Sequence, residues 1–361
     1  MKFSVLCWLL VALGSSEERR LVEKSGRNWR LKVPERCCPE EVYSHERRVV
    51  LPKVLLGVVT SSSERSKALL LSNVLALREF SVSWVALLYD GTDGSSMEDI
   101  RSLKGVDFQA YDARLSPTDK CPFCPKFSMQ ASLSKFAKDF DYVILPDADI
   151  SFKNFDWRRY WTLHAAAGAP LVSQPLIRQN TQHVDFFVNL EQWEACLRPQ
   201  AGGEKTGENL ITSSLFARSK YIENQVPFLD ATFFSYFVSE TRGFTAYQRD
   251  LGTDWGQTRA WCAVAAVFFA NKKANNTICA LLFEAIDHND NKDIPKTSGF
   301  RKAGSLAQTT LQDVLHGRDY RSASKLNMTN LATQTATILL TPYIDTVAQA
   351  KRCMDSTTSP S

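Results

Sequence analysis

Short apolar runs alternate with helical patterns along the middle of the chain, and no other feature restricts the fold as much. "KVLLGVVT" (Lys53 to Thr60) is a continuous apolar run of strand length, the pattern of a strand covered on both faces. Ser61-Ser62-Ser63-Glu64 then has capping-box spacing, and Ala68, Leu71 and Leu75 fall at helical intervals through Phe80. "VSWVALLYD" (Val82 to Asp90) reads as a second buried strand, closed by the turn-rich "GTDGSS", and "VDFQAY" (Val106 to Tyr111) as a third. "KFSMQASLSKFAKDF" (Lys126 to Phe140) reads as a helix leading into the apolar "YVILPDADISF". Strands alternating with helices predict an α/β fold: a mostly parallel central sheet flanked by helices on both faces.

The pattern continues with a helix in "FDWRRYWTLHAAAG" and a strand in "PLVSQP", then a polar stretch around "RPQAGGEKTGEN" that reads as a loop. Helical periodicity is strong from Phe228 to Val238, "WCAVAAVFFA" reads as a buried helix and "CALLFEAIDH" as a buried strand. There is no internal repeat. From Gly304 the chain is polar apart from "ATILLTPYI", a tail expected to wrap the core or to be partly disordered.

Two aspartates one residue apart, Asp147 and Asp149, end the apolar run at Tyr142 to Phe152. With Asp at roughly 6% per position, about one such pair arises by chance in a chain this long. The chain contains a second, Asp139 and Asp141, a few residues upstream. Position separates the two: Asp139 and Asp141 precede the predicted strand and read as a solvated helix-to-strand turn. Asp147 and Asp149 come after it, and in open α/β sheets ligands bind outside the carboxyl ends of the strands. Strand alternation would project both carboxylates to one side of Ala148, where a divalent cation relieves their repulsion. Hard oxygen ligands suit Mn²⁺ or Mg²⁺, which leave positions open for phosphate oxygens; the pair is either such a site, favouring departure of a nucleoside diphosphate, or a solvated turn.

Other candidates lie downstream. "AIDHND" places Asp287 and His288 at the end of a predicted strand, where the imidazole is either a third ligand or structural. Asp254, between Gly252 and Gly256 and beside Trp255, either caps the next helix or acts as general base for a sugar hydroxyl over an aromatic platform. Glu223 in "YIENQVPF" either binds the acceptor or solvates a turn. Asp90 either contacts a nucleotide or caps a turn.

Taken in order, "FDYVILPDADI", "PLVSQPLI", "YIENQVPF", "GTDWGQTRAWC" and "AIDHND" resemble the blocks of a domain-of-unknown-function family of DxD-type, GT-A-like glycosyltransferases, over roughly residues 51 to 299. The resemblance implies metal-dependent, hexosyltransferase-like transfer from a nucleotide-sugar donor to a glycan or glycoconjugate hydroxyl. It implies Asp149 as the stronger metal ligand, Asp147 on the ribose or sharing the metal, and His288 completing the set. Asp254 matches the family's acidic residue near the DWG-like block and Glu223 the acid before the Pro-Phe. Asp254 would deprotonate the acceptor if the reaction inverts; a retaining reaction needs no such base. The central block departs from the pattern, lacking the second aspartate often found after the Gly, within Gln257 to Trp261. Two other classes remain: a secreted carbohydrate-binding or scaffold protein without turnover, and a metal-dependent nucleotidyltransferase releasing pyrophosphate.

Lys2, the twelve mostly apolar residues "FSVLCWLLVALG" and the small residues Ala12 and Gly14 form a secretory-signal pattern over residues 1–14. The run is short of the roughly 20 residues that span a bilayer, so membrane contact is expected only if it stays uncleaved as an anchor. A basic linker or stem over 15–50, a catalytic domain over 51–303 and an extension over 304–361 complete the expected organisation. The expected location is a secretory lumen, Golgi or ER, or outside the cell. Eight cysteines remain after Cys7, an even number compatible with disulfides there, with connectivity open. Cys121 and Cys124 have redox or zinc half-site spacing, but no second half-site or close His completes zinc, so structural pairing is favoured. Asn275-Asn276-Thr277 and Asn327-Met328-Thr329 are glycosylation sequons. The net charge of +4 comes without a dense basic cluster with interleaved aromatics, which argues against nucleic acid as a partner.

Overall fold

The computed structural model describes residues 51–113, 126–179, 190, 216–219, 222–253, 257–272, 278–289, 298–315 and 319–339. The signal pattern, the stem, Cys121 and Cys124, Asp254 and the sequon at Asn275 lie outside the described residues. Among the described residues, no helix is long and apolar enough to cross a membrane.

The strands are β1 (Val54–Thr60), β2 (Val82–Leu88), β3 (Asp107–Asp112), β4 (Tyr142–Ile144), β5 (Ile150–Ser151), β6 (Val172–Gln179), β7 (Phe216–Arg218), β8 (Phe228–Asp230) and β9 (Cys279–His288). The helices are α1 (Glu64–Leu77), α2 (Glu98–Arg101), α3 (Lys126–Gln130), α4 (Trp157–Ala166), α5 (Ala231–Glu240), α6 (Arg242–Leu251), α7 (Gln257–Lys272), α8 (Ser298–Leu315), α9 (Tyr320–Lys325) and α10 (Thr329–Leu339). One sheet has the order β3-β2-β1-β4-β8-β6-β9-β5, with β7 also on β9. Its three longest ladders, β1 on β2, β2 on β3 and β6 on β9, are parallel. Every residue of β1 is buried, as expected of a strand covered on both faces. The α/β class and the mostly parallel sheet are those the sequence predicts.

Strand direction fixes where the site can be. β8 is antiparallel to both β4 and β6, so β6 runs with β4, and β9 runs with β6. The carboxyl ends of β1, β2, β4, β6 and β9 therefore share one edge of the sheet.

Several local expectations change. Helical periodicity from Phe228 begins instead as β8, because Phe228 and Leu229 are fully buried between β4 and β6, where only a strand satisfies both neighbours' backbones. The helix starts at Ala231, where Asp230 caps it by accepting from the Phe233 amide at 2.8 Å. The capping box at Ser61 shifts: Ser63 is the N-cap of α1 and Ser61 bonds to neighbouring hydroxyls. The helix expected over Lys126 to Phe140 breaks after Gln130 into short 3₁₀ turns, and Ser132 donates to the Met129 carbonyl, the local competition that serines offer a helix. This segment lies tightly on β1: Gln130 Nε2 donates to the Gly57 carbonyl, and a Cβ at Gly57 would lie 2.0 Å from the buried Leu133 Cδ1.

The core is aromatic where α4 meets the sheet. Trp157, Tyr160 and Trp161 on α4 pack around Phe228, and Phe152 and Phe155 join them. Fully burying one such ring is worth roughly 1.5–3 kcal/mol. Beyond residue 304, α8 and α10 pack on α7 and bury Leu311, Val314, Leu331 and Ala332.

Candidate metal centre

Pro146 lacks an N–H to continue a ladder, and β4 ends at Ile144. The chain is then pinned to the segment before β8: Leu145 N donates to the Pro227 carbonyl at 3.1 Å and Asp147 N to the Gln225 carbonyl at 2.6 Å. Ile150 N donates back to the Asp147 carbonyl at 3.2 Å, closing a turn over Asp147, Ala148 and Asp149. The two carboxylates are thus brought together by a reverse turn, not by strand alternation. After the turn, β5 pairs with the end of β9, Ile150 opposite His288, and Asn289 N donates to the Asp149 carbonyl at 2.8 Å.

This pairing delivers the imidazole. One ligand atom each from Asp147, Asp149 and His288 lies within 4.8 Å of the others, the single such group among the described residues. His288 Nε2 is 3.4 Å from Asp149 Oδ1. The side chains are 32%, 19% and 7% exposed respectively, so the group opens toward solvent at Asp147 and closes at His288. Two carboxylates and one imidazole gathered this closely could hold a divalent metal ion. Asp287 takes no part: successive strand residues face opposite sides, and its carboxylate binds Arg178 Nη1 at 2.7 Å and Asn154 Nδ2 at 2.8 Å.

Glu223 lies in the segment that holds Asp147, half-buried, with its amide donating to Gln174 Oε1 at 2.7 Å. Asp90 lies in the bend just after β2, on the same sheet edge. Its carboxylate accepts from the Ser62 amide at 2.6 Å, the Ser62 hydroxyl at 2.7 Å and Thr92 Oγ1 at 3.1 Å, which ties the loop after β1 to the loop after β2. Burial opposes its charge, but the hydrogen bonds from Ser62 and Thr92 prevail and hold its carboxyl below the usual range.

Two features escape sequence reasoning. Lys126, the first residue of α3, sets its Nζ 2.5 Å from Asp147 Oδ1 and 2.6 Å from the Asn224 carbonyl. Nothing around it in the sequence distinguishes it from any other lysine. The second is a buried amide network: Gln248 and Gln257 bond each other reciprocally, Asn224 Nδ2 donates to Gln257 Oε1 at 3.4 Å, and Trp261 Nε1 donates to Asn224 Oδ1 at 2.9 Å. Asn224 of "YIENQVPF" is thus joined to Gln257 and Trp261 of α7, and the Gln257 amide is buried. Two further buried amide atoms near this loop, Gln174 Nε2 and Gln225 Oε1, have no partner among the described residues. Buried polar atoms without a partner are uncommon and give this edge unused hydrogen-bonding capacity.

No family model matches the chain, and no curated protein matches it. Among solved structures it is similar to Staphylococcus aureus TarS 1–349 in complex with UDP, at 12% identity and a TM-score of 0.38, over 81% of this chain and 93% of that one. It is also similar to the mannosyltransferase PcManGT from Pyrobaculum calidifontis in complex with GDP-Man and Mn²⁺, at 11% identity and 0.38, over 85% and 79%. A third is glucosyl-3-phosphoglycerate synthase from Mycobacterium tuberculosis with Mn²⁺, UDP and glucosyl-3-phosphoglycerate, at 11% and 0.36, over 78% and 82%. At these identities and TM-scores the likeness assigns no donor, acceptor or metal to this chain.

Proposed function

We propose that this chain is a metal-dependent glycosyltransferase of GT-A type, in the family its sequence blocks resemble, moving a sugar, hexosyl in type, from a nucleotide-sugar donor to a glycan or glycoconjugate hydroxyl. One observation carries the reading: the neighbouring Asp147 and Asp149 and the sequence-distant His288 converge at the carboxyl edge of a mostly parallel sheet, where α/β proteins bind ligands.

Asp149 and His288 would hold Mn²⁺ or Mg²⁺ with Asp147 sharing it or holding the ribose. The cation would act as a Lewis acid for the charge that develops on the leaving diphosphate. Asp90 keeps the loops after β1 and β2 together on the edge where the nucleotide would lie. Arg178 and Asn154 keep the Asp287 carboxylate out of the cluster, so it adds no further repulsion to the site. Glu223 would orient the acceptor. Asp254 would take the acceptor proton in an inverting reaction. A secretory-lumen setting accords with the Cys262–Cys279 disulfide joining α7 to β9 and with the exposed Asn327 of the second sequon.

The test is calorimetry with Mn²⁺ and nucleoside diphosphates, and then a donor-hydrolysis panel with the wild type and Asp149→Ala. Metal-dependent diphosphate binding, and hydrolysis of one donor by the wild type alone, are expected. A folded protein that binds no diphosphate with Mn²⁺ defeats the reading. So does equal hydrolysis by both proteins. Pyrophosphate as product in place of nucleoside diphosphate moves the assignment to nucleotidyl transfer.

A further inference from the structure

Of the three residues in the candidate metal group, Asp147 already has a cation. Lys126 Nζ contacts Asp147 Oδ1, and only 13% of the lysine side chain is exposed, so water screens the pair weakly. An ammonium has three N–H donors and no acceptor; among the described residues Asp147 and the Asn224 carbonyl take two, which leaves one for a ligand. The lysine is held in place. Gln130 and Leu133 seat its segment on Gly57 of β1, and Trp261 holds Asn224.

Charge balance makes this contact consequential for a metal. Asp147, Asp149 and the ammonium on Asp147 together carry one net negative charge, and a divalent cation added there overshoots to one net positive. The cation must therefore approach a like charge on the far side of Asp147. A nucleoside diphosphate removes the excess, and the third N–H of Lys126 is available to its phosphate oxygens. Resting on the metal site proposed above, we propose that Lys126 is a built-in cation that competes with the divalent metal for Asp147. The same lysine makes metal binding depend on the nucleoside diphosphate. By linkage, the diphosphate strengthens metal binding by the factor through which the metal strengthens diphosphate binding.

The experiment is a titration of Mn²⁺, with free Mn²⁺ read by electron paramagnetic resonance, into full-length wild type, Lys126→Met, Lys126→Gln and Lys126→Arg, each with and without UDP or GDP. Melting curves establish folding, and Lys126→Gln keeps a donor for the Asn224 carbonyl should the methionine variant fail to fold. A like charge within about 4–6 Å changes an ionic equilibrium by roughly tenfold or more. The neutral variants should therefore bind Mn²⁺ alone about tenfold tighter than the wild type and gain less from the diphosphate. Lys126→Arg, which keeps the charge, should match the wild type. Equal or weaker Mn²⁺ binding by the neutral variants overturns the role of Lys126 while leaving the metal site in place. Absence of Mn²⁺ binding in every folded protein, diphosphate present, removes the metal site itself and the proposed function with it.

Discussion

β4 is three residues long and has an Asp-x-Asp pair near each end, with opposite outcomes. Before the strand, Asp139 closes a 3₁₀ turn, and Asp141 Oδ2 accepts from the Lys53 amide at 2.8 Å while its own amide donates to the Lys53 carbonyl at 2.8 Å. The second carboxylate nearby is Asp230, opposite Tyr142 in the ladder, and it works as the cap of α5. After the strand, Asp147 and Asp149 sit on a turn that faces His288. Spacing is identical, so the difference comes from what the chain puts opposite each pair. At the amino end Asp141 and Asp230 accept from backbone amides; at the carboxyl end Asp147 and Asp149 gather with His288 in a group that could hold a cation.

The largest effect that can break this contrast is at Asp149. Asp149→Ala should abolish measurable Mn²⁺ binding and lower donor turnover at least a hundredfold with little change in melting temperature. Asp139→Ala should leave both unchanged. Mn²⁺ titration and a donor-hydrolysis assay on the two variants decide it, and equal losses in both would erase the distinction between the ends. His288→Ala should weaken Mn²⁺ at least tenfold, since losing even a residue that only orients a metal ligand costs roughly ten- to a hundredfold. Unchanged affinity would make the imidazole structural. At the other end, Asp141→Ala removes the partner of the Lys53 amide and should cost about 1 kcal/mol of stability, read by urea denaturation, without altering Mn²⁺ binding.

How much of this the sequence reveals depends on range. The strands at Val54–Thr60, Val82–Leu88 and Cys279–His288 are readable because a strand buried on both faces is a continuous apolar run. β8 is not, because "FLDATFF" has apolar residues at both periods and only its place between β4 and β6 settles its first three residues as a strand. Asp147, Asp149 and His288 are readable as residues after apolar runs, but their convergence depends on β5, a two-residue strand with no sequence signal of its own. Lys126 and Asn224 are illegible for a stronger reason. Each acts through a partner far off in the chain, Asp147 for one and Gln257 and Trp261 for the other, and no local pattern encodes such a meeting.

The smallest predicted effect asks how the amino end tolerates crowded acids where the described residues form no candidate metal group. Asp230 answers through its own proton. Burial pushes its carboxyl up, the Phe233 and Thr232 amides pull it partly back, and the Asp141 charge adds to the rise. A group whose pKa is raised in the folded state contributes stability that is fully present below its unfolded value, 3.8 here, and lost as pH rises through the folded value. The ionised Asp230 is therefore a small burden at neutral pH. Asn caps a helix as well as Asp does and carries no charge. Asp230→Asn should melt higher than the wild type at pH 7, and the gap should close as the pH falls below 4. A gap that stays constant with pH would mean that Asp230 does not titrate differently on folding. The amino end would then tolerate its acids through hydrogen bonds alone, and the two ends of β4 would differ in partners without differing in how they handle charge.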